Sequence, residues 1–466
     1  MGSVVVCGGS VVGLCVAMML ARDGHEVTVL ETDPAGAPAT PAEAWSSWRR
    51  TGVAQFHQPH ILFPRFREVS EVELPGLLDR LVAAGGVWVD LLQTPPPSVT
   101  DRVRRPADDR LRFVNARRPV LEAVVAAAAT EQPGVTVRRG VRVTGLLPGP
   151  SAVPRVPHAA GVRTATGEEI RADLVVDATG RRTPAQDWLA GLGARGAHVQ
   201  AELSGFVYYT RYFSGAALPL RRAPAMTPIG SISLLTLEGD NNTWSVSVCG
   251  LTGDAPLKAL RDPGIHARVV AACPRHAHWL DGRPLTGVLP MAGILDCHRR
   301  FVVDGEPVVT GFVAVGDAWA CTNPSGGRGL SLGLFQAQLL RATVAGHLDD
   351  PAVLARVYDH RTVAEVTPYY RHQLAADRAR VAEMNAIRQA LPPPPGDPVT
   401  GRFLAAAMQD ADVFRALLET VTCLALPAEV LARPGMRQKV DRHGDAPRPP
   451  SPGPDRTRLL QLLGAA

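Results

Sequence analysis

The first residues of the chain have the types and spacing of a phosphate-binding turn. Gly8, Gly9, Ser10 and Gly13 follow the short apolar run 4–7 and precede an apolar helical stretch. Gly8 permits a tight turn off a buried strand, Gly13 permits close helix packing, and Ser10 is small enough for the backbone to approach a ligand. The amides at the start of such a helix form a natural seat for a pyrophosphate. These residues therefore predict a dinucleotide site.

A carboxylate stands where the ribose of a dinucleotide would need one. Glu31 ends the next strand pattern, 26–31, so that strand, glycine turn, helix and strand form one βαβ unit. A carboxylate there accepts hydrogen bonds of about 1.5–3 kcal/mol each from the ribose hydroxyls, and it repels a 2′-phosphate. A second Gly-x-Gly-x-x-Gly run, 191–196, follows no strand pattern and is expected to be a loop. The sequence thus indicates one dinucleotide fold and no separate nicotinamide domain.

Two later segments complete a recognisable pattern. Residues 173–180 form a buried-strand pattern that ends in Asp-Ala-Thr-Gly. Residues 311–315 form another, followed by Gly316, Asp317 and a glycine-rich loop that runs to residue 329. With the N-terminal turn, their order over residues 1–345 resembles the p-hydroxybenzoate-hydroxylase superfamily of flavoprotein monooxygenases.

That resemblance implies a bound FAD and a role for each matching residue. Asp317 would bond the FAD ribitol, the loop 324–329 would place its amides near the flavin N1 and C2 carbonyl, Arg118 would reach the cofactor, and the backbone of Val143 would meet the adenine. Positive potential at the loop would stabilise an anionic reduced flavin. The complete predicted FAD-binding set is Gly8, Gly9, Ser10, Gly13, Glu31, Arg50, Arg118, Val143, Gly316, Asp317, Pro324, Gly326, Gly327 and Gly329.

A narrower likeness involves the segment around Arg50. The run Arg-x-Gly-Val-x-Gln at 50–55 resembles a segment of the flavin-dependent epoxidases of polyether antibiotic pathways, which also have histidines just beyond it. Here His57 and His60 either pack beneath the flavin or take a direct part in turnover. An extra stretch separates Glu31 from Arg50, and Arg328 replaces the usual residue in the glycine loop, so a different substrate is expected.

The resemblance implies an FAD-dependent monooxygenase. It would transfer one oxygen atom from a flavin C4a-hydroperoxide to a lipophilic, natural-product-like substrate, by epoxidation or by hydroxylation, with O2 as co-substrate and with electrons from NAD(P)H or from a partner flavin reductase. The cofactor carries this chemistry, and no catalytic residue stands out in the sequence. We expect the strand aromatics of the substrate-sheet region to be buried in the core, namely Tyr208, Tyr209 and Tyr212. The alternative is a dehydrogenase or reductase of the same superfamily. A halogenase is disfavoured, because no lysine precedes Lys258 and no Trp-x-Trp motif occurs.

The amino-acid composition argues against several other classes of function. The chain has 466 residues, enough for two to four domains, with a net charge of +5 and arginines interspersed with acids, which argues against nucleic-acid binding. Seven scattered cysteines without Cys-x-x-Cys predict buried thiols rather than a metal site or a disulfide framework. We found neither a signal-peptide pattern nor an apolar run long enough for a membrane span, and therefore expect a soluble cytoplasmic protein.

The predicted fold class is α/β with three parts. A doubly wound, Rossmann-type FAD-binding domain is assigned to residues 1–75, 101–190 and 286–345. An interleaved antiparallel β-sheet substrate domain is assigned to 76–100 and 191–285. From about residue 200 to residue 285 the hydrophobic pattern has a period of two, and 239–242 are predicted to form a hairpin turn. Residues 346–466 are assigned to a helical C-terminal region covering one side of the core. It contains long helical patterns at 351–390 and 398–431, a stiff linker at 392–395 and an extended Pro-rich tail at 446–454.

Overall fold

The computed structural model describes residues 1–151, 153–392, 394–447 and 451–465. In these ranges the strands are β1 (Ser3–Cys7), β2 (Glu26–Glu31), β3 (Val87–Asp90), β4 (Arg112–Asn115), β5 (Val135–Arg139), β6 (Val143–Gly149), β7 (His158–Thr164), β8 (Glu169–Arg171), β9 (Leu174–Asp177), β10 (His198–Leu203), β11 (Phe206–Ser214), β12 (Met226–Ile229), β13 (Ile232–Glu238), β14 (Thr243–Leu251), β15 (Arg283–Pro284), β16 (Leu289–Met291), β17 (Leu295–Arg300), β18 (Val302–Val303), β19 (Glu306–Pro307), β20 (Phe312–Ala314) and β21 (Ala320–Cys321). The helices are α1 (Val11–Arg22), α2 (Pro41–Ser46), α3 (Pro64–Glu73), α4 (Leu77–Ala83), α5 (Arg118–Glu131), α6 (Ala185–Gly191), α7 (Pro263–Ala271), α8 (Gly329–His347), α9 (Pro351–Glu365), α10 (Thr367–Arg388), α11 (Pro398–Ala407), α12 (Ala411–Val421), α13 (Pro427–Leu431), α14 (Met436–His443) and α15 (Arg456–Leu463).

A parallel five-stranded sheet in the order β20-β9-β1-β2-β5 forms the centre of the molecule. Val4 and Val6 pack on one face against α1, α5 and α8, whereas Val5 and Cys7 pack on the other face against β6–β8 and α6. Side chains alternate along a strand, so covering both faces requires an unbroken apolar run. The predicted βαβ unit and the α/β fold class are confirmed.

Helix α4 corrects the predicted domain boundaries. The prediction placed 76–100 with the antiparallel sheet, yet Leu77, Leu78 and Leu81 belong to the same buried cluster as Val4 and α5. The apolar face of a seven-residue helix does not indicate in the sequence which sheet it will cover. Strand β3, in the same stretch, pairs with β4 and contributes Val89 to a cluster that includes Leu237 of β13.

The antiparallel sheet has the order β12-β13-β14-β11-β15, with β16 also paired to β11. Asn241 and Asn242 connect β13 to β14 with φ angles of 51° and 53°. Two consecutive left-handed residues make the turn that suits a two-residue hairpin, so the predicted hairpin is confirmed. Asp240, just before them, is buried and accepts hydrogen bonds from the Arg117 side chain at 2.6 and 3.0 Å, which fixes the hairpin to the start of α5.

The C-terminal helices pack in several different places. Met384 of α10 packs with Phe206 and Tyr208, so this helix covers one face of the antiparallel sheet, while α11–α14 form a small cluster of their own. Helix α15 departs from the predicted cover over one side of the core, because Leu459 and Leu463 pack with α7 and the opposite face of that sheet. Parts of the predicted linker and Pro-rich tail, residue 393 and residues 448–450, lie outside the described residues.

The long pattern 351–390 is divided at Val366 into α9 and α10. The cysteines are all buried and free. In the described ranges, none of the helices has both the length and the apolar character needed to cross a bilayer.

Candidate functional site

A cavity of about 2450 Å³ lies between the parallel sheet, the antiparallel sheet and the C-terminal helices. The predicted site residues on its wall are Ser10, Gly13, Arg118, Gly316, Asp317, Pro324, Gly326, Gly327 and Gly329. The structure therefore brings residues from both ends of the predicted site to one space. Five other predicted residues do not belong to this lining: Gly8, Gly9, Glu31, Arg50 and Val143.

The glycine turn has the geometry that its sequence predicts. Gly8 has a φ of +109°, and a Cβ there would lie 2.5 Å from the Ala178 carbonyl oxygen, while a Cβ on Gly13 would lie 2.0 Å from the Gly8 carbonyl oxygen. Only glycine fits at either position. The first hydrogen bond of α1 runs from the Leu14 N–H to the Ser10 carbonyl oxygen at 3.0 Å. The preceding amides of the helix have no partner within it, so they are available to an anion.

Ser10 and Arg118 meet beside this turn. The Ser10 hydroxyl donates to Glu122 Oε1 at 2.6 Å and accepts from Arg118 Nη2 at 2.8 Å. Arg118 Nε also donates to Glu122 Oε1 at 2.8 Å. Arg118 and Ser10 line the cavity, whereas Glu122 is fully buried behind them. Glu122 therefore positions the Arg118 guanidinium and the Ser10 hydroxyl beside the helix amides that could bind a phosphate.

Arg50 lies behind the turn and is bonded to several carboxylates. It donates to Glu31 at 2.7 Å, to Asp33 at 3.0 Å and to Glu122 at 3.1 Å, and its side chain is 1% exposed. Burial works against its charge, but Glu122 and Glu31 outweigh that effect and raise the pKa of Arg50. Sequence reasoning placed Arg50 at the cofactor; in the structure it contacts the acid predicted for the ribose.

Glu31 is oriented by the protein itself. Its Oε2 accepts from the Gly9 N–H at 2.8 Å as well as from Arg50, and its Oε1 accepts from the Asp33 N–H at 2.8 Å. A carboxylate has about four lone-pair positions, so Oε1 still has acceptor capacity. Val143 lies at the start of β6, half-buried and paired with Thr164, beside the outer face of the parallel sheet.

Asp317 differs from Glu31 in its bonding. It follows β20 in a short 3-10 turn, and no donor among the described residues bonds its carboxylate, which faces the cavity. Burial raises the pKa of Asp317, although Arg118, Arg181 and Arg299 partly oppose the effect. A half-buried carboxylate without a donor is unfavourable unless a ligand hydroxyl supplies one.

The loop after Asp317 packs tightly against two other parts of the chain. A Cβ on Gly326 would lie 2.0 Å from Gln373 Oε1, and one on Gly327, whose φ is +63°, would lie 2.2 Å from Ile61 Cγ2. Glycine at these positions lets the loop backbone lie directly against α10 and the segment before α3. The loop amides therefore stay at the cavity wall.

A buried polar network, not predicted from the sequence, ties this loop to the antiparallel sheet and to α10. The Tyr208 hydroxyl donates to Asn323 Oδ1, and Asn323 Nδ2 donates to Asp377 Oδ1 at 3.1 Å. Asp377 also accepts from Ser325 at 3.1 Å and from Gln373 at 2.9 Å. The spacing of Asn323 and Asp377 along the chain gives no local signal for this contact. Tyr209 and Tyr212 are buried too, as expected for strand aromatics.

The two histidines near Arg50 are both hydrogen-bonded to backbone carbonyls. His57 Nε2 lies 3.3 Å from the Trp45 carbonyl oxygen, and His60 Nδ1 lies 2.9 Å from the Gln58 carbonyl oxygen. Burial, with the nearby Arg118, lowers the pKa of His60 to about 3. His60 lines the cavity as a neutral imidazole.

Comparison with known proteins identifies the fold. No family model matches the chain. Protein Rv3254 of Mycobacterium tuberculosis (strain ATCC 25618 / H37Rv) is 28% identical over 440 residues, which cover 87% of this chain and 86% of that protein. Among solved structures, PqsL, a probable FAD-dependent monooxygenase from Pseudomonas aeruginosa, matches with a TM-score of 0.61 and 16% identity, over 83% of this chain and 96% of that one.

Two further solved structures have the same architecture. The flavin-dependent brominase Bmp2 matches with a TM-score of 0.60 and 14% identity, over 94% of this chain and 98% of its own. The Diels-Alderase PyrE3 of pyrroindomycin biosynthesis matches with a TM-score of 0.59 and 17% identity, over 90% of this chain and 80% of its own. Identities this low establish architecture rather than reaction. The chain therefore shares its α/β fold with PqsL, Bmp2 and PyrE3.

Proposed function

We propose that this protein is a flavin-dependent oxidoreductase, and specifically an FAD-dependent monooxygenase acting on a lipophilic, natural-product-like substrate. The observation that supports it best is that one cavity is lined at once by the amide seat of α1, by Arg118, by the donor-free carboxylate of Asp317 and by the loop 324–329. These groups complement a phosphate, a polyhydroxyl chain and a polar ring edge.

The residues that would hold FAD follow from this chemistry. The α1 amides and Arg118 would bind the pyrophosphate, Asp317 would accept from a ribitol hydroxyl, and the spare acceptor capacity of Glu31 would bind the adenosine ribose. When bound, FAD would supply two-electron redox chemistry and oxygen activation. The chain's contribution is to orient the cofactor, to keep water from it, and to keep His60 uncharged beside it.

The rest of the cavity supports a lipophilic substrate. Sites for drug-sized ligands occupy about 300–1,000 Å³, so a cavity of about 2450 Å³ has room for a cofactor and a sizeable second molecule. The wall away from the parallel sheet is largely apolar, with Val89, Phe113, Phe206, Met226, Leu235, Leu237, Leu404, Met408, Phe414, Leu417, Leu418 and Val421. Burial of such a surface favours apolar ligands.

Reconstitution and isotope labelling test the proposal. The purified protein should bind one FAD per chain, measured by quenching of flavin fluorescence. With reductant, ¹⁸O2 and a panel of alkene and phenol probes, a monooxygenase transfers one ¹⁸O atom to a product, by epoxidation or hydroxylation. Products without ¹⁸O, formed while oxygen is only reduced to hydrogen peroxide, would instead identify the dehydrogenase or reductase alternative. A chain that binds no FAD would refute both.

The electron donor is tested separately. Anaerobic stopped-flow mixing with NADPH or NADH should bleach the flavin if the chain accepts hydride directly. If bleaching requires an added flavin reductase, the donor is a partner protein. Repeating the measurement with probe substrates shows whether reduction depends on the substrate.

A further inference from the structure

Arg328, the residue that departs from the usual glycine loop, is buried without hydrogen-bond acceptors. It is 6% exposed, and its Nε and Nη1 are fully buried without a partner among the described residues. Arg50, Arg117 and Arg118, also buried, each bond a carboxylate at 3.1 Å or less. Arg328 is thus the exception in a chain whose other buried arginines near the cavity are paired.

The surroundings of Arg328 explain why no side chain neutralises it. Burial raises the pKa of Asp377 and of Cys423, and the charge of Arg328 partly opposes both effects, so Arg328 lies close to the C-terminal helical region. Asp377 accepts hydrogen bonds from Gln373, Asn323 and Ser325 instead. Burial, reinforced by Arg328, lowers the pKa of His372 to about 4, which leaves this neighbour uncharged.

Arg328 and His372 both line the cavity, whose wall also includes Phe414, Leu418 and Val421. Arg328 also immediately precedes α8, a helix of 19 residues whose N-terminal dipole adds to the positive potential. An unpaired buried cation is costly. An anion that enters this end of the cavity would supply the missing acceptors, and the apolar neighbours would contact its hydrocarbon part.

We infer that Arg328 anchors an anionic group of the substrate, and that the substrate is a lipophilic carboxylic acid. The planar guanidinium presents a fork of N–H donors that matches a carboxylate, while the apolar side chains of α12 on the cavity wall would contact the hydrocarbon part of the substrate. This inference rests on the proposed function, which makes the cavity the substrate site, and it narrows the substrate class from lipophilic to lipophilic and acidic.

Calorimetric titration with two matched probes tests the assignment. Naphthalene-2-carboxylate and 2-naphthalenemethanol have the same ring system and differ in charge. With FAD-saturated protein, the wild type should bind the carboxylate at least about 10-fold more tightly than the alcohol, as expected for charge-assisted hydrogen bonds. Arg328→Gln should weaken carboxylate binding by about 10- to 100-fold and leave the alcohol unchanged. Arg328→Lys keeps the charge but lacks the planar guanidinium. Its affinity for the carboxylate should lie between those of the wild type and of Arg328→Gln.

Arg437 supplies the matched control. It is exposed and lies outside the cavity lining, so Arg437→Gln should leave both affinities unchanged. A wild type that does not prefer the carboxylate overturns the inference even if Arg328→Gln fails to fold. Equal losses for both probes would mean that Arg328 only shapes the cavity, and chloride competing as well as the carboxylate would mean a site for inorganic anions; either result overturns it.

FAD affinity, measured on the same variants, separates this inference from the proposed function. If Arg328→Gln loses FAD but keeps the carboxylate preference, Arg328 serves the cofactor and the inference fails. If the wild type binds no FAD, the proposed function fails, while titration of the cofactor-free protein still reports whether Arg328 selects the carboxylate.

Discussion

The two ends of the cavity differ in how their charged groups are satisfied. Behind the turn after β1, Arg50 contacts three carboxylates, and its side chain is 1% exposed. At the end formed by the segment after β20, Asp317 has no donor among the described residues, and Arg328 has two buried nitrogens without acceptors. The first end is complete within the protein, whereas the second has unmet hydrogen-bonding groups that face a space large enough for ligands.

This difference indicates a division of labour. A network whose members satisfy one another holds the phosphate seat in one geometry before any ligand arrives, which is the condition for a preorganised site. Buried polar groups without hydrogen-bond partners destabilise the free protein. The same groups favour binding when a ligand supplies the missing partners. Substitutions at the first end should therefore lower stability, and substitutions at the second end should mainly lower ligand affinity.

The largest effect is expected for Arg50→Ala. Removing this side chain leaves Glu31, Asp33 and Glu122 close together with one fewer cation, and breaking buried ion pairs in this way costs about 3–5 kcal/mol. The variant should show a clearly lowered Tm in calorimetry. Arg49→Ala is the control, because Arg49 is an exposed neighbour that bonds only backbone carbonyls, and its Tm should match the wild type. An unchanged Tm in Arg50→Ala would show that the ion pairs around Arg50 do not stabilise the fold.

Asp317→Ala should have the opposite profile. Losing one charge-assisted hydrogen bond weakens FAD binding by about 1.5–3 kcal/mol, or about 10- to 100-fold, measured by flavin fluorescence titration. Its Tm without FAD should not fall, because the substitution removes an unpaired carboxylate. The exposed Asp349→Asn should change neither quantity.

Glu31→Ala makes the comparison sharper, since it belongs to the complete end and is also predicted to touch FAD. Its loss should lower FAD affinity together with the Tm, because Arg50 and the Gly9 amide lose their acceptor. If Asp317→Ala lowered the Tm as much as Glu31→Ala, the distinction between the two ends would be wrong.

Local sequence signals predicted the elements of this site better than their partners. Gly8 and Gly13 were identifiable because a glycine turn between a buried strand and a helix is a contiguous pattern. The contact of Arg50 with Glu122 spans 72 positions, and that of Asn323 with Asp377 spans 54. Because each contact joins distant positions, neither produces a local pattern in the sequence. Helix α4 was misplaced for the same reason: its leucines predict a buried face but not the surface that buries it. Arg328 was visible as a departure, but its unmet nitrogens depend on tertiary packing.

A smaller effect is expected from the pH dependence of Asp296, which accepts from the Asn323 N–H at 2.6 Å. Burial raises the pKa of Asp296 to about 6, with a further contribution from Asp377. The folded protein therefore keeps this proton where the unfolded chain, with a pKa of about 3.9, has lost it. Stability is lost as the pH rises through that window, by at most about 2–3 kcal/mol at 1.36 kcal/mol per pKa unit.

Asp296→Asn should remove this loss, because the amide oxygen can still accept from Asn323 and carries no charge. In urea unfolding, the variant should gain stability relative to the wild type between pH 4 and pH 7. Asp304→Asn, at an exposed turn position with a φ of 55°, should follow the wild type at every pH. A difference between Asp296→Asn and wild type that stays constant over this range would contradict the prediction.

The smallest effect is expected for Tyr208→Phe, which tests whether the loop end depends on its network. The substitution keeps the buried ring and removes the hydroxyl that donates to Asn323, so Asn323 Oδ1 loses its donor at a cost of about 1 kcal/mol. Tyr212→Phe is the matched control, because Tyr212 lies on the same strand and packs its ring 4.8 Å from Trp45. FAD affinity should also fall slightly in Tyr208→Phe alone, since Asn323 directly precedes the loop at the cavity wall. Equal behaviour of the two variants in Tm and FAD affinity would mean that packing, rather than this hydrogen bond, positions the loop.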